Sequence, residues 1–372
     1  MSAREPRPAV PVSDHFSPDY STARERFRTA AAARGAALRS EPLSARGVDG
    51  NDLSVDVAYL GPEAPDCVLA LSSGLHGVEG FAGSAIQHQL LAEQVDGLDR
   101  PAGCGLLLVH ALNPFGFDGI RRVNENNVDL NRNFVAHPGG HVASADYEEL
   151  YDAVNPVRMD DEEADAALLV QLIEFGVEQG FDRLHAALAV GQYLHPEGVQ
   201  FGGQKEEESN LLVRELAFSE TRGAARVCWI DVHTGLGDFG EVEMISESGT
   251  VAPDFQRASA WWGEAVQSTV SGDSSAPPVP GPIDAGLAEV LSDRELTAIC
   301  AEFGTYDTTR SFAALRADNW LHQHGELDSD QGRGIKAELR EVFCPDDRGW
   351  ESSVLEIGAR VVQEACTGLA VQ

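Results

Sequence analysis

Six short apolar runs, at 52–60, 67–73, 105–112, 226–233, 242–246 and 296–303, are each bounded by turn residues, and helical patterns lie between most of them. Apolar character without strict alternation is the mark of strands buried on both faces, and such strands need helices above and below them. Alternation of this kind predicts an α/β chain: a three-layer α/β/α sandwich around a mixed, mostly parallel central sheet. Core-type strands stand on both sides of the Ser-, Gly- and Pro-rich stretch 269–289, so that stretch reads as a long surface loop and not as a boundary between domains. The expectation is a loosely ordered arm over residues 1–20, then one catalytic domain over 21–372, opening with an Ala/Arg-rich helix at 21–40.

Charge narrows the partners. Among 372 residues there are 60 acidic and 27 basic side chains, a net charge of −33, and the only lysines are Lys205 and Lys336. A surface of that sign repels nucleic acid and anionic membranes, which both require clustered Arg and Lys. Salt adaptation and a codon bias that writes Arg for Lys explain the balance equally well. No apolar run approaches the ~20 residues of a membrane-crossing helix, and the first residues carry no apolar leader core. The expectation is therefore a cytoplasmic protein with neither a membrane nor a nucleic-acid partner. The six cysteines form no CxxC pair, and Cys67, Cys104, Cys228 and Cys300 lie in or beside apolar runs, so they read as small buried hydrophobes.

The run at 67–73 leads into GLHGVEG, which sets His76 and Glu79 at a strand end, where ligands of open α/β sheets bind. The run at 226–233 closes with IDVHTG and sets His233 at a second strand end. Two His and one Glu leave a fourth tetrahedral position open, as a catalytic zinc needs for water. Glu302 lies inside a third apolar run, TAICAEFGTYD, and a carboxylate there is costly unless it is paired or functional. Between the first two, IRRVNENNVDLNRNF (120–134) crowds Asn and Arg among apolar positions, a composition suited to an anion. Each feature also has a plainer reading. His76 and Glu79 can be a helix-start pair and His233 a satisfied core histidine. Glu302 can be half of a buried ion pair, with Glu241 or Glu243 as the base instead, and Arg121 and Arg122 can simply be solvated.

Taken in order, H-x-x-E, D-x-N-R, a strand-end His and a strand Glu resemble the zinc carboxypeptidase (carboxypeptidase A-like) metallopeptidase superfamily. The likeness is greatest to a bacterial branch near the aspartoacylase and succinylglutamate desuccinylase type of deacylase. It spans about 52–310. It implies one Zn²⁺ per chain on His76, Glu79 and His233, with Asp129 orienting the His76 ring. Glu302 would be the general base and later the proton donor to the leaving amine. Arg122, or Arg121 in its stead, would stabilise the oxyanion, and Asn131 and Arg132 would grip a substrate carboxylate. The digestive members carry a mobile Tyr between the last zinc His and the Glu. This chain has none there, which leaves Tyr193 or Tyr306 for that space. The segment 191–203, GQYLHPEGVQFGG, fits a wall of the substrate pocket and an ordinary turn equally well. The implied activity is hydrolysis of an amide beside a free carboxylate, releasing the C-terminal amino acid of a peptide. The alternatives are an N-acyl-amino-acid deacylase with the same zinc site and a non-catalytic carboxylate-binding protein.

Overall fold

The computed structural model describes residues 11–135, 145–159 and 162–371. The strands are β1 (Ala37–Arg46), β2 (Asp52–Leu60), β3 (Cys67–Ser73), β4 (Cys104–His110), β5 (Arg226–Gly235), β6 (Val242–Ser246), β7 (Val266–Ser268) and β8 (Glu295–Gly304). Helices α1 (Tyr20–Ala33), α2 (Gly80–Gln89) and α3 (Pro114–Asp118) belong to the first half of the sheet. Helices α4 (Ala145–Val154), α5 (Glu162–Gln179) and α6 (Phe181–Ala189) follow, then α7 (Glu208–Glu220), α8 (Pro253–Trp262) and α9 (Ile283–Val290). The chain ends with α10 (Thr308–His324), α11 (Asp330–Phe343) and α12 (Arg348–Ala370).

The strands form one sheet in the order β1-β2-β4-β3-β5-β8-β6-β7. Its centre, β4-β3-β5-β8, is parallel throughout, while β1, β2 and β6 enter antiparallel. Every residue of β3 and β4 is buried, as strands covered on both faces require. One face packs Leu69, Leu71 and Ile230 against Phe27, Phe81, Trp350 and Val354 of α1, α2 and α12. The other packs Val68, Leu107 and Trp229 against Val213, Leu216 and Leu287 of α7 and α9. The expected three-layer sandwich is the observed one. A third cluster, with Tyr147, Leu150, Leu172 and Phe175, closes α4, α5 and α6 on themselves beside the sandwich.

Three local expectations are corrected. The helix expected over 21–40 stops at Ala33, and Ala37–Arg46 is the edge strand β1, whose burial merely alternates between partial and none. The surface loop expected over 269–289 contains the start of α9, whose Ile283 and Leu287 are core residues. The first ten residues of the expected N-terminal arm lie outside the described residues. The rest of it is packed: His15 and Ser17 are buried, and Phe16 meets the Trp350 ring at 6.1 Å. All six cysteines are free and five are buried, as expected.

Candidate metal centre and active site

Because β3, β5 and β8 are adjacent and parallel, their C-terminal ends share one edge of the sheet. After β3 the chain turns through Gly74, whose φ of 65° suits glycine. His76 then caps the short 3₁₀ turn Gly77–Glu79 that opens α2. A side chain at Gly77 would collide with the backbone of Gly116, its Cβ falling 2.1 Å from the Gly116 carbonyl carbon. The turn is fastened to the arginine segment by Gly77 N–H to Arg122 O (3.0 Å) and Val78 N–H to Arg121 O (2.8 Å). His233 and Glu302 lie opposite each other in the β5/β8 register.

The expected ligand set is brought together and buried. His76 Nδ1 lies 2.9 Å from Glu79 Oε1, and His233 Nδ1 lies 2.9 Å from Glu79 Oε2. The two Nδ1 atoms face each other at 3.1 Å. Each ring gives its other nitrogen to a separate carboxylate: His76 Nε2 to Asp129 Oδ1 at 3.0 Å, and His233 Nε2 to Asp231 Oδ2 at 2.6 Å. Those carboxylates hold the proton on Nε2 and leave the Nδ1 lone pairs converging with Glu79. Two lone pairs and a carboxylate repel one another unless a cation stands among them, so the donor set fits a divalent metal.

The electrostatics agree. Burial opposes charge on His233, yet the Asp231 and Glu79 carboxylates outweigh it and hold the imidazole well above its usual range. Burial would raise Glu79, but His76 and His233 draw it far below the usual carboxylate range. Asp129 is likewise held low: burial is overcome by Arg122 and His76.

Glu302 stands beside this cluster, with Oε1 accepting from Leu236 N–H at 2.9 Å. Burial first, then the Glu79 charge, pushes its carboxyl up to about 7. Of the other carboxylates weighed as base, Glu241 is exposed, and Glu243 accepts from Ser274 Oγ and Ser275 N–H. Arg122 donates from Nη1 to Glu79 Oε1 (2.9 Å) and from Nε to Asp129 Oδ2 (3.2 Å), so it touches the ligand set itself. Arg121 turns elsewhere, to Asp318 Oδ2 (3.1 Å) and Asn127 Oδ1 (2.9 Å).

The expected carboxylate grip is altered. Arg132 spends its fork on backbone carbonyls, Nε on Val190, Nη2 on Ala189 and Nη1 on Asn131, and so ties down the end of α6. A guanidinium with three carbonyl partners is a structural fastener here, and Asn131 is left as the nearer candidate. Its Oδ1 accepts from Ile283 N–H at the start of α9. Neither tyrosine reaches the histidine pair: Tyr193 Oη donates to Arg132 O, and Tyr306 Oη to Glu341.

Asp231, 2.6 Å from His233 Nε2, is the member of the candidate site missed in sequence. Its signal was D-x-H within one strand, since positions two apart share a face. Cys300 was read only as a small hydrophobe. It follows the same period from Glu302, and its Sγ lies 3.8 Å from Glu302 Oε2.

A family model described as "Protein of unknown function (DUF2817)" matches residues 16–357. No curated protein matches the sequence. Among solved structures, the chain is similar to thrombin activatable fibrinolysis inhibitor (TAFI) at 12% identity and a TM-score of 0.50, covering 97% of this chain and 77% of that one. It is also similar to carboxypeptidase A from Helicoverpa armigera at 14% identity and a TM-score of 0.46, covering 87% of this chain and 73% of that one. At such identities the likeness to TAFI is one of fold.

Proposed function

The chain belongs to the family described as "Protein of unknown function (DUF2817)", and on that premise we propose that it is a zinc-dependent hydrolase acting on an amide beside a free carboxylate. The reading taken is a metallocarboxypeptidase that releases C-terminal amino acids. One observation carries it: two imidazole Nδ1 atoms and one carboxylate converge in a buried pocket, while a separate carboxylate fixes the far nitrogen of each ring. His76, Glu79 and His233 would hold the metal. Zinc bound there lowers the pKa of water and polarises a carbonyl.

The remaining roles belong to the chain. Asp129 and Asp231 keep the Nε2 protons in place. Glu302, with Oε1 held by Leu236 N–H, uses Oε2 to take a proton from water and later returns it to the leaving amine. Arg122 keeps Nη2 clear of protein partners among the described residues, and this donor is left for the oxyanion of the tetrahedral intermediate. Asn131, beside Asp129, is left to orient the substrate carboxylate.

The test is mass spectrometry of products from an N-acylated dipeptide library incubated with zinc-replete protein at low and high salt. Free C-terminal amino acids are expected. Release of the acyl group alone would make the protein a deacylase, and intact substrates in both salts would refute the hydrolase reading.

A further inference from the structure

Beside Arg122, the segment 121–127, the 196–200 loop and α10 line a narrow pocket that opens to solvent. Val199 and Leu315 give it apolar walls, and Arg121, Gln200 and Asn319 give it polar ones. Gln200 stands out. It is 9% exposed, its Oε1 is buried without a hydrogen-bond partner, and its backbone sits at φ 60°, a conformation costly for a side-chain-bearing residue. Its carbonyl is occupied, accepting from Gln192 N–H at 3.0 Å, so the loop is held in this form while the carboxamide is left over. An acceptor buried without a donor is unfavourable unless a ligand supplies one.

The opposite need is met across the pocket. Arg121 uses Nε and Nη2 on Asp318 and Asn127, and its Nη1 has no partner among the described residues. Asp318 is shared with Lys336 Nζ at 2.6 Å, so two cations face one carboxylate. A ligand here must bring a donor for Gln200 Oε1 and an acceptor for Arg121. A carboxylate brings only acceptors, and an ammonium brings only donors. A flat amide brings both, and its faces suit Val199 and Leu315.

We propose that this pocket binds a second amide of the substrate, its N–H on Gln200 and its carbonyl on Arg121. The source is either the next peptide group or a side-chain carboxamide. The proposal rests on the hydrolase reading and extends it, since an enzyme with such a subsite is built for peptides more than for simple N-acyl amino acids.

With X the C-terminal residue cleaved best, kcat/KM is measured for acetyl-X, acetylglycyl-X, acetoxyacetyl-X, succinamoyl-X and succinyl-X. Acetoxyacetyl-X replaces the second amide N–H by an ester oxygen. Wild-type protein is expected to prefer acetylglycyl-X over acetoxyacetyl-X about tenfold, largely in KM. Gln200→Met should bring that ratio near one, with acetyl-X turnover unchanged and the thermal midpoint higher, because the buried orphan acceptor is gone. Succinamoyl-X cleaved better than acetylglycyl-X identifies the amide as a side-chain carboxamide, and the reverse identifies a peptide group. Equal rates on the amide and the ester, a preference for succinyl-X, or an unchanged ratio in Gln200→Met would overturn the proposal alone. Cleavage of none of the five would overturn the hydrolase reading and this proposal with it.

Discussion

At the scale of residues, the centre depends on who holds which proton. Asp231 keeps His233 Nδ1 free by accepting from Nε2 at 2.6 Å. Asp231→Asn should therefore weaken zinc affinity about 10–100-fold, as loss of such a partner does elsewhere, with the fold unchanged by circular dichroism. Unaltered affinity in a competition titration with a chromophoric chelator would deny Asp231 this role. Glu302 must be ionised to accept a proton, and its carboxyl is pushed up to about 7 by burial and Glu79. kcat/KM should accordingly fall as pH drops through an acid limb at or below about 7, since a bound cation only favours the ionised form. Glu302→Gln should bind zinc normally and lose most turnover, and a variant with wild-type kcat would move the base elsewhere. The candidate ligands were legible in the sequence because His76 and Glu79 follow closely on one apolar run and His233 ends another. Arg132 was misjudged because a guanidinium in an Asn-rich motif looks the same whether it faces a substrate or, as here, the carbonyls of Ala189 and Val190. Gln200 lies in 191–203, which fits a pocket wall and a turn equally well in sequence, because its lack of a partner arises only when three distant segments meet.

At the scale of elements, β3, β4, β5 and β8 were readable because burial on both faces forces nearly continuous apolar sequence. β1 was not, since an edge strand with one half-covered face needs no apolar run and its Ala- and Arg-rich start resembles the end of α1. Helix α9 hid in a Pro- and Gly-rich stretch because its burial against Phe134 is a tertiary matter. The same buried strands carry a pH liability. His110, the last residue of β4, is fully enclosed, stacked on Phe27 at 4.7 Å, with Nδ1 unpartnered. Burial lowers it from 6.5 to about 4. Between those values the unfolded chain takes up a proton that the folded one refuses, so its stability contribution is present above 6.5 and is lost as pH falls towards 4. The loss amounts to about 3 kcal/mol. Urea titrations from pH 7 to 4 should show Gln in place of His110 losing less stability over that window than wild type. Parallel losses in the two proteins would contradict this.

At the scale of the whole molecule, 60 acids against 27 bases make self-repulsion a general cost of the compact state. Raising NaCl from about 0.05 to 1 M shortens the Debye length from over 10 Å to about 3 Å. The thermal midpoint should climb across that range, and a flat or falling midpoint would show that the acids are already compensated. The three-layer α/β/α sandwich was legible because strand and helix patterns alternate along the chain, whereas the packing of α4, α5 and α6 into a cluster of their own was not, since alternation does not say which helices meet. The fold presents the C-terminal ends of three parallel strands along one edge, and the central claim is that this edge holds a metal.

The most direct test is the metal content of dialysed wild-type and His76→Ala protein, by inductively coupled plasma mass spectrometry. The account predicts one zinc per wild-type chain and almost none in the variant. A metal-free wild type after zinc reconstitution, or a His76→Ala chain that keeps a full equivalent, would contradict it.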